Sequence, residues 1–230
     1  MEATVPDAAE SSGSGTAGKR LKVTEIFTSL QGEAVHVGWP TAFVRLTGCP
    51  LRCVWCDTAY AFTGGKFMSQ EEVIDAVRSA NVRHVCVTGG EPLAQRACAG
   101  LLEALCDAGH VVSLETSGAL DISCVDPRVH KVMDVKTPGS GEEGRNLDAN
   151  LIHLGPGDCV KYVIADRVDF EWARDHVSRH GLETRCEVLF SPVWETLPPA
   201  ELADWILAEN LPVRFQLQVH KVLWGNEPGR

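Results

Sequence analysis

The chain has 230 residues, 44% hydrophobic and 23% charged, enough for one α/β domain with a proper core. A formal charge of −10 without any Lys/Arg cluster argues against a nucleic-acid footprint. No apolar run approaches the roughly 20 residues of a membrane helix, and the first 20 residues lack the order of a secretory or mitochondrial leader, so a cytoplasmic location is expected.

Residues 1–20, rich in Ala, Ser and Gly, are predicted to be a disordered tail, and residues 21–230 a single domain. Strands are predicted at Lys22–Phe27 and Ala42–Thr47. Ser69-Gln-Glu-Glu72 reads as a capping box that opens a helix to about Ser79. A short apolar strand, His84–Thr88, runs into Gly89-Gly90. Leu93, Ala97, Leu101, Leu102 and Leu105 recur at helical spacing, and Gly109 closes that helix. Strands follow at His110–Glu115, Lys131–Val135 and Val160–Ala165, and then a helix over Asp169–His180. A strand at Cys186–Phe190, a helix over Pro199–Asn210 and a final strand at Val213–His220 complete the pattern. Alternating β and α units predict mostly parallel strands in an open, partial β/α barrel. Its chemistry belongs at the C-terminal strand ends.

Cys49-Pro-Leu-Arg-Cys53-Val-Trp-Cys56 places three cysteines in one loop after a strand. Three thiolates can hold a [4Fe–4S] cluster and leave one iron open for a ligand. The alternative is structural zinc, which wants four ligands, commonly two separated pairs; His36 or a distant cysteine would have to supply the fourth. Nine cysteines, an odd number, argue against a disulfide framework. Cys86, Cys98, Cys106, Cys124, Cys159 and Cys186 read as small buried hydrophobes.

With Asp57-Thr58 directly after the triplet, the chain resembles the radical S-adenosylmethionine (SAM) superfamily. Within it, the chain is similar to the 7-carboxy-7-deazaguanine synthase family. The resemblance runs from about Glu25 to Asn226. It is carried by Glu25-Ile-Phe-Thr-Ser-Leu-Gln-Gly-Glu33, Phe43-Val-Arg-Leu-Thr-Gly-Cys49, Thr88-Gly-Gly-Glu-Pro92, Glu115-Thr-Ser-Gly118, Gln218-Val-His-Lys221 and Leu223-Trp-Gly-Asn226. It implies conversion of 6-carboxy-5,6,7,8-tetrahydropterin to 7-carboxy-7-deazaguanine with release of ammonia, on the route to queuosine and other 7-deazapurines. It also implies a [4Fe–4S] cluster, SAM as a reusable cofactor, Mg2+, an electron donor such as flavodoxin or ferredoxin, and a homodimer. The rivals are another small radical SAM enzyme, such as a glycyl-radical activase, and a zinc-stapled binding module.

By the same resemblance Cys49, Cys53 and Cys56 hold the cluster. Gly90 belongs to a SAM-binding turn, against the alternative of a plain tight turn. Asp134-Val135-Lys136 stands where the family often has Ser-Pro-Lys, a SAM contact, and Ser191 aligns with a second one. Leu30, Gln31 and Gly32 form the substrate loop, and Thr88 touches substrate. Arg45 suits a bidentate grip on the substrate carboxylate, the alternative being a surface ion pair. Thr58 corresponds to the family's Mg2+ ligand, against a simple turn hydroxyl. Glu115 reads as ligand-proximal, with an N-cap by Thr116 or Ser117 as the alternative. His220, placed at a strand end, is implied to lie near substrate. The other seven histidines show no constellation. No catalytic side chain is assigned beyond the cofactor.

Overall fold

A computed structural model describes residues 20–227 and Gly229. The expected disordered tail lies outside the described residues except for Arg20, which already belongs to the first strand. In chain order the elements are β1 (Arg20–Leu30), β2 (Pro40–Leu46), β3 (Lys66–Ser69), α1 (Gln70–Ser79), β4 (His84–Gly89) and α2 (Cys98–Asp107). They continue with β5 (Val111–Thr116), β6 (His130–Val135), β7 (Cys159–Ile164), α3 (Arg167–His180), β8 (Glu187–Pro192), α4 (Pro199–Glu209), β9 (Arg214–Phe215) and α5 (Val219–Trp224).

The strands form one sheet in the order β3-β1-β2-β4-β5-β6-β7-β8-β9. From β2 to β9 every pairing is parallel. The first three strands are antiparallel, and β3 and β9 remain as edges, so the sheet is an open partial barrel. Two crossovers, β5 to β6 and β6 to β7, carry only turns and 3-10 segments where regular alternation predicts helices.

Alternation along the strands separates an outer apolar layer from an inner face. Val85, Val87, Val112, Leu114, Met133, Val135, Val160, Tyr162, Val188 and Phe190 join the core beneath the helices. The inner set, Val132, Cys159 and Leu189, packs with Ala34 as a small plug. A sheet covered on both sides reads as near-continuous apolar strands, which is why the inner polar positions stand out.

The capping box forms as expected: Ser69 Oγ accepts from Glu72 N–H at 3.1 Å, and Ser69 N–H donates to Glu72 at 2.6 Å. Three expectations need correction. β3 is an added edge strand, four residues with one pairing partner and no clear alternation. Leu93 lies in the 3-10 turn Pro92–Ala94, because Pro92 starts that turn and the helix begins only at Cys98. The last strand stops at Phe215. There Gln216 turns its amide to the backbone of Ala34, accepting at 2.6 Å and donating at 3.2 Å, and the chain leaves the sheet edge. His220 therefore sits on helix α5. Of the six cysteines read as buried, Cys124 is exposed and Cys106 half-buried; all nine are free thiols.

Candidate active site at the C-terminal strand ends

The cysteine loop leaves β2 and is sewn to its neighbours by backbone. Gly48 N–H donates to Ala61 at 2.8 Å, Glu91 N–H to Gly48 at 2.8 Å, Gly90 N–H to Leu46 at 3.2 Å and Val54 N–H to Ser140 at 3.0 Å. Gly90 is required here by close approach: a Cβ would lie 2.3 Å from the Gly48 carbonyl oxygen. Arg52 donates to the Cys49 carbonyl at 2.8 Å while its guanidinium covers the Phe62 ring. The three thiols stay partly open and line one cleft of about 500 Å³.

Glu91 braces the loops from below. Its side chain is fully buried and accepts from Leu93 N–H (3.0 Å), Thr116 Oγ1 (2.9 Å), Ser117 N–H (2.7 Å) and Ser117 Oγ (2.5 Å). Thr116 and Ser117 therefore serve Glu91, and the N-cap reading of that segment is replaced by a carboxylate clamp between the ends of β4 and β5.

Polar side chains from the inner strand faces fill the wall. Arg45 Nε donates to Glu25 at 2.7 Å, with the Phe27 and Tyr60 rings flanking the guanidinium. Burial disfavours the Arg45 charge, yet Tyr60, Glu25 and Glu115 outweigh it and hold the guanidinium above its usual value. Gln31 donates to Glu115 at 3.2 Å and Thr88 to its other oxygen at 2.9 Å. Lys161 pairs with Glu33 at 2.5 Å and Asp134 at 3.5 Å; Lys136 Nζ lies 3.0 Å from Asp134.

Helix α5 closes the rim. Val219 N–H donates to Gly32 at 3.0 Å, Gln218 to Glu33 at 2.6 Å, and Lys221 pairs with Asp57 at 2.7 Å. Burial opposes the Asp57 charge, but Lys221 prevails and holds this carboxyl down at about 2. Thr58 Oγ1 donates to Asp57 at 2.9 Å, and the residue lines the cleft.

Comparison with known proteins decides the family. The Radical SAM superfamily matches residues 43–134, the span from β2 into β6. The 7-carboxy-7-deazaguanine synthase of Chlorobaculum tepidum is 45% identical over 207 residues, covering 89% of this chain and 94% of that protein. That of Koribacter versatilis is 43% identical, covering 90% and 98%. The chain belongs to the 7-carboxy-7-deazaguanine synthase family. It is thus a radical SAM enzyme, and its fold matches the crystal structure of QueE from Escherichia coli at a TM-score of 0.73, 23% identity, over 87% of this chain and 95% of that one.

Radical SAM membership implies a [4Fe–4S] cluster and SAM, and the residues fit both. The three thiols do not gather within 4.8 Å of one another, the closeness that marks a single-ion site among the described residues. Zinc bound at about 2.3 Å per sulfur would pull them tighter, whereas a cube accepts thiolates at separate corners. Burial pushes the Cys49 and Cys53 thiols up, so cluster binding must displace protons. Along the cleft wall, Trp194 Nε1 is buried without a hydrogen-bond partner. Buried polar groups left unpaired in a family member call for a polar ligand.

For this radical SAM enzyme, twelve of the fourteen residues assigned from the sequence line the cleft: Leu30, Gln31, Gly32, Arg45, Cys49, Cys53, Cys56, Thr58, Thr88, Gly90, Asp134 and Lys136. Val135 does not, because alternation after Asp134 turns it into the outer core. Ser191 is buried outside the lining. His220 reaches the cleft from α5, and its Nδ1 would lie 2.1 Å from any Cβ at Gly32. Arg45 does form an ion pair, but a largely buried one. Lys161, Glu33, Asp57 and Lys221 also line the cleft, beyond the residues expected to form the site. A lysine in the apolar run Cys159–Ile164 was the one available signal, since an unpaired charge is not buried there.

Proposed function

We propose that this chain contracts the ring of 6-carboxy-5,6,7,8-tetrahydropterin to 7-carboxy-7-deazaguanine with release of ammonia, aided by Mg2+. The observation that carries the reading is the convergence of the cysteine loop, Arg45 and the Gln31–Glu115–Thr88 chain on one cleft. When bound, the cluster and SAM supply the radical chemistry, and the protein orients and shields it.

Cys49, Cys53 and Cys56 hold the cluster. Gly90, Asp134, Lys136 and the unpartnered Trp194 indole surround the SAM side. Arg45 spends only Nε on Glu25; among the described residues its two terminal nitrogens have no hydrogen-bond partner. They are free to grip the substrate carboxylate as a fork. Glu115 offers an acceptor edge to ring N–H groups, and Gln31 offers an amide beside it. Phe27, Phe43 and Val163 keep the cleft apolar between these polar points. Thr58 supplies a neutral oxygen for Mg2+, which keeps waters and takes substrate oxygens as its other ligands.

The test is anaerobic incubation with SAM, dithionite, Mg2+ and the carboxytetrahydropterin, followed by mass spectrometry. Mass of the deazapurine acid is the expected product. Intact iron and SAM binding with no conversion of the pterin would overturn the substrate assignment.

A further inference from the structure

On the far side of the sheet from the cleft, α3 carries His176 and His180 four residues apart, so both rings rise on one helix face. They meet Asp148, which opens the 3-10 segment Asp148–His153 between β6 and β7. The three side chains bring one ligand atom each within 4.8 Å of one another. His176 Nε2 lies 3.4 Å from Asp148 Oδ1, and His180 Nε2 lies 3.6 Å from Oδ2. Both distances exceed the roughly 2.7–3.2 Å of a good N–H···O bond. Each is near the roughly 3.3 Å between two donors that share one metal at about 2.0–2.1 Å, the two contacts using different oxygens of the carboxylate.

Two further observations point to a ligand. His180 Nε2 is buried and has no hydrogen-bond partner. His176 is fixed for ligation: its Nδ1 lies 2.7 Å from the Tyr162 hydroxyl, and Trp172 stacks on the ring at 4.9 Å. In the tautomer that donates Nδ1–H to the Tyr162 oxygen, the Nε2 lone pair faces Asp148 and is open to a cation; in the other, Nε2–H donates to Asp148 across 3.4 Å. Metal-binding histidines are usually held in the first way, through the second nitrogen.

We propose that His176, His180 and Asp148 form a divalent-metal site for Zn2+, with water completing the tetrahedron. Two imidazoles select a borderline transition metal over Mg2+ or Ca2+. Asp148 is 54% exposed, which gives the ion its route in and leaves room for the water. The site is distinct from the cleft: Lys161 and Val163 face the cleft, so Tyr162 between them faces α3. Its consequence is mechanical. Asn146, two residues before Asp148, holds the Lys136 backbone with bonds of 2.9 and 2.8 Å. A metal here ties α3 to the segment that positions one wall of the cleft.

The experiment uses anaerobic, cluster-loaded enzyme, so that iron occupies Cys49, Cys53 and Cys56. One equivalent of Zn2+ is followed by zinc K-edge absorption, calorimetric titration and thermal unfolding, for wild type, His180→Ala and Asp148→Asn. His176 is left intact because its burial against Tyr162 makes its loss a packing defect. Expected are nitrogen and oxygen neighbours at about 2.0–2.1 Å with imidazole scattering and no sulfur at about 2.3 Å. Each variant should bind Zn2+ at least about tenfold more weakly, since even an outer partner is worth about that. Zinc should raise the Tm of wild type and of neither variant. A sulfur neighbour, loss of zinc to a weak chelator, or equal affinity in all three proteins would overturn the proposal and leave a Tyr162–His176–Asp148 hydrogen-bond chain. None of these outcomes bears on the pterin chemistry.

Discussion

Replacing Glu91 by Gln tests the clamp that joins the ends of β4 and β5. One carboxylate oxygen accepts from Leu93 N–H and Thr116; the other accepts from Ser117 N–H and Ser117 Oγ. A glutamine keeps one of these oxygens and turns the other into an NH2 group. Whichever way the amide flips, that NH2 faces a backbone N–H, of Leu93 or of Ser117. One buried donor is then unsatisfied, at about 1–3 kcal/mol. The remaining bonds lose the charge that makes them roughly twice as strong as neutral ones, adding about 1 kcal/mol. The total, about 2–4 kcal/mol, is a large part of a domain stability of about 5–15 kcal/mol. The chain should still fold, but the cysteine loop should suffer, because Glu91 N–H also holds the Gly48 carbonyl at 2.8 Å. Urea unfolding of the cluster-free chain should show a lower midpoint at unchanged slope. Anaerobic reconstitution should return less iron per chain. An unchanged midpoint together with full iron would refute the clamp.

Arg45→Lys keeps the charge and loses the fork, so substrate should bind roughly 10- to 100-fold more weakly, the equivalent of a charged hydrogen bond of about 1.5–3 kcal/mol; calorimetric titration should show SAM binding unaltered, and equal loss of both ligands would argue for misfolding instead. Thr58→Ala should blunt the Mg2+ stimulation of turnover with iron and SAM binding intact, while Thr58→Ser keeps most of it; a wild-type Mg2+ curve in the Ala variant removes Thr58 as the ligand. His36 is held down at about 4 by burial and by the neighbouring His130 and His84, against 6.5 for a free histidine. The unfolded chain thus binds the extra proton between those values, so stability should be complete above pH 6.5 and fall as pH drops toward 4. His36→Asn should flatten that limb in urea midpoints measured across the range, and an identical slope would show that other groups govern it.

Features written over a few adjacent residues were legible in the sequence. The cysteine triplet needs only one loop, the capping box only one helical turn, and the apolar strands only their own runs. Each is a local constraint, so residue type and spacing suffice to state it. The partial barrel followed from the same strand and helix alternation, and with it the rule that puts the chemistry at the C-terminal strand ends. That is why twelve of the fourteen assigned residues meet in the cleft.

Tertiary structure alone decided the rest, because the partners lie far apart in the chain. Glu91 finds Ser117 across 26 positions, Lys161 finds Glu33 across 128, and Gln216 finds Ala34 across 182. One strand too short to announce itself, β3, exists only through the neighbour it pairs with. Even the histidine pair on α3, visible in the sequence at i and i+4, shows no constellation until the β6–β7 connection brings Asp148 from 28 residues away. Spacing along a chain can state which side chains share a turn or a face; only closure of the sheet states which of those faces meet.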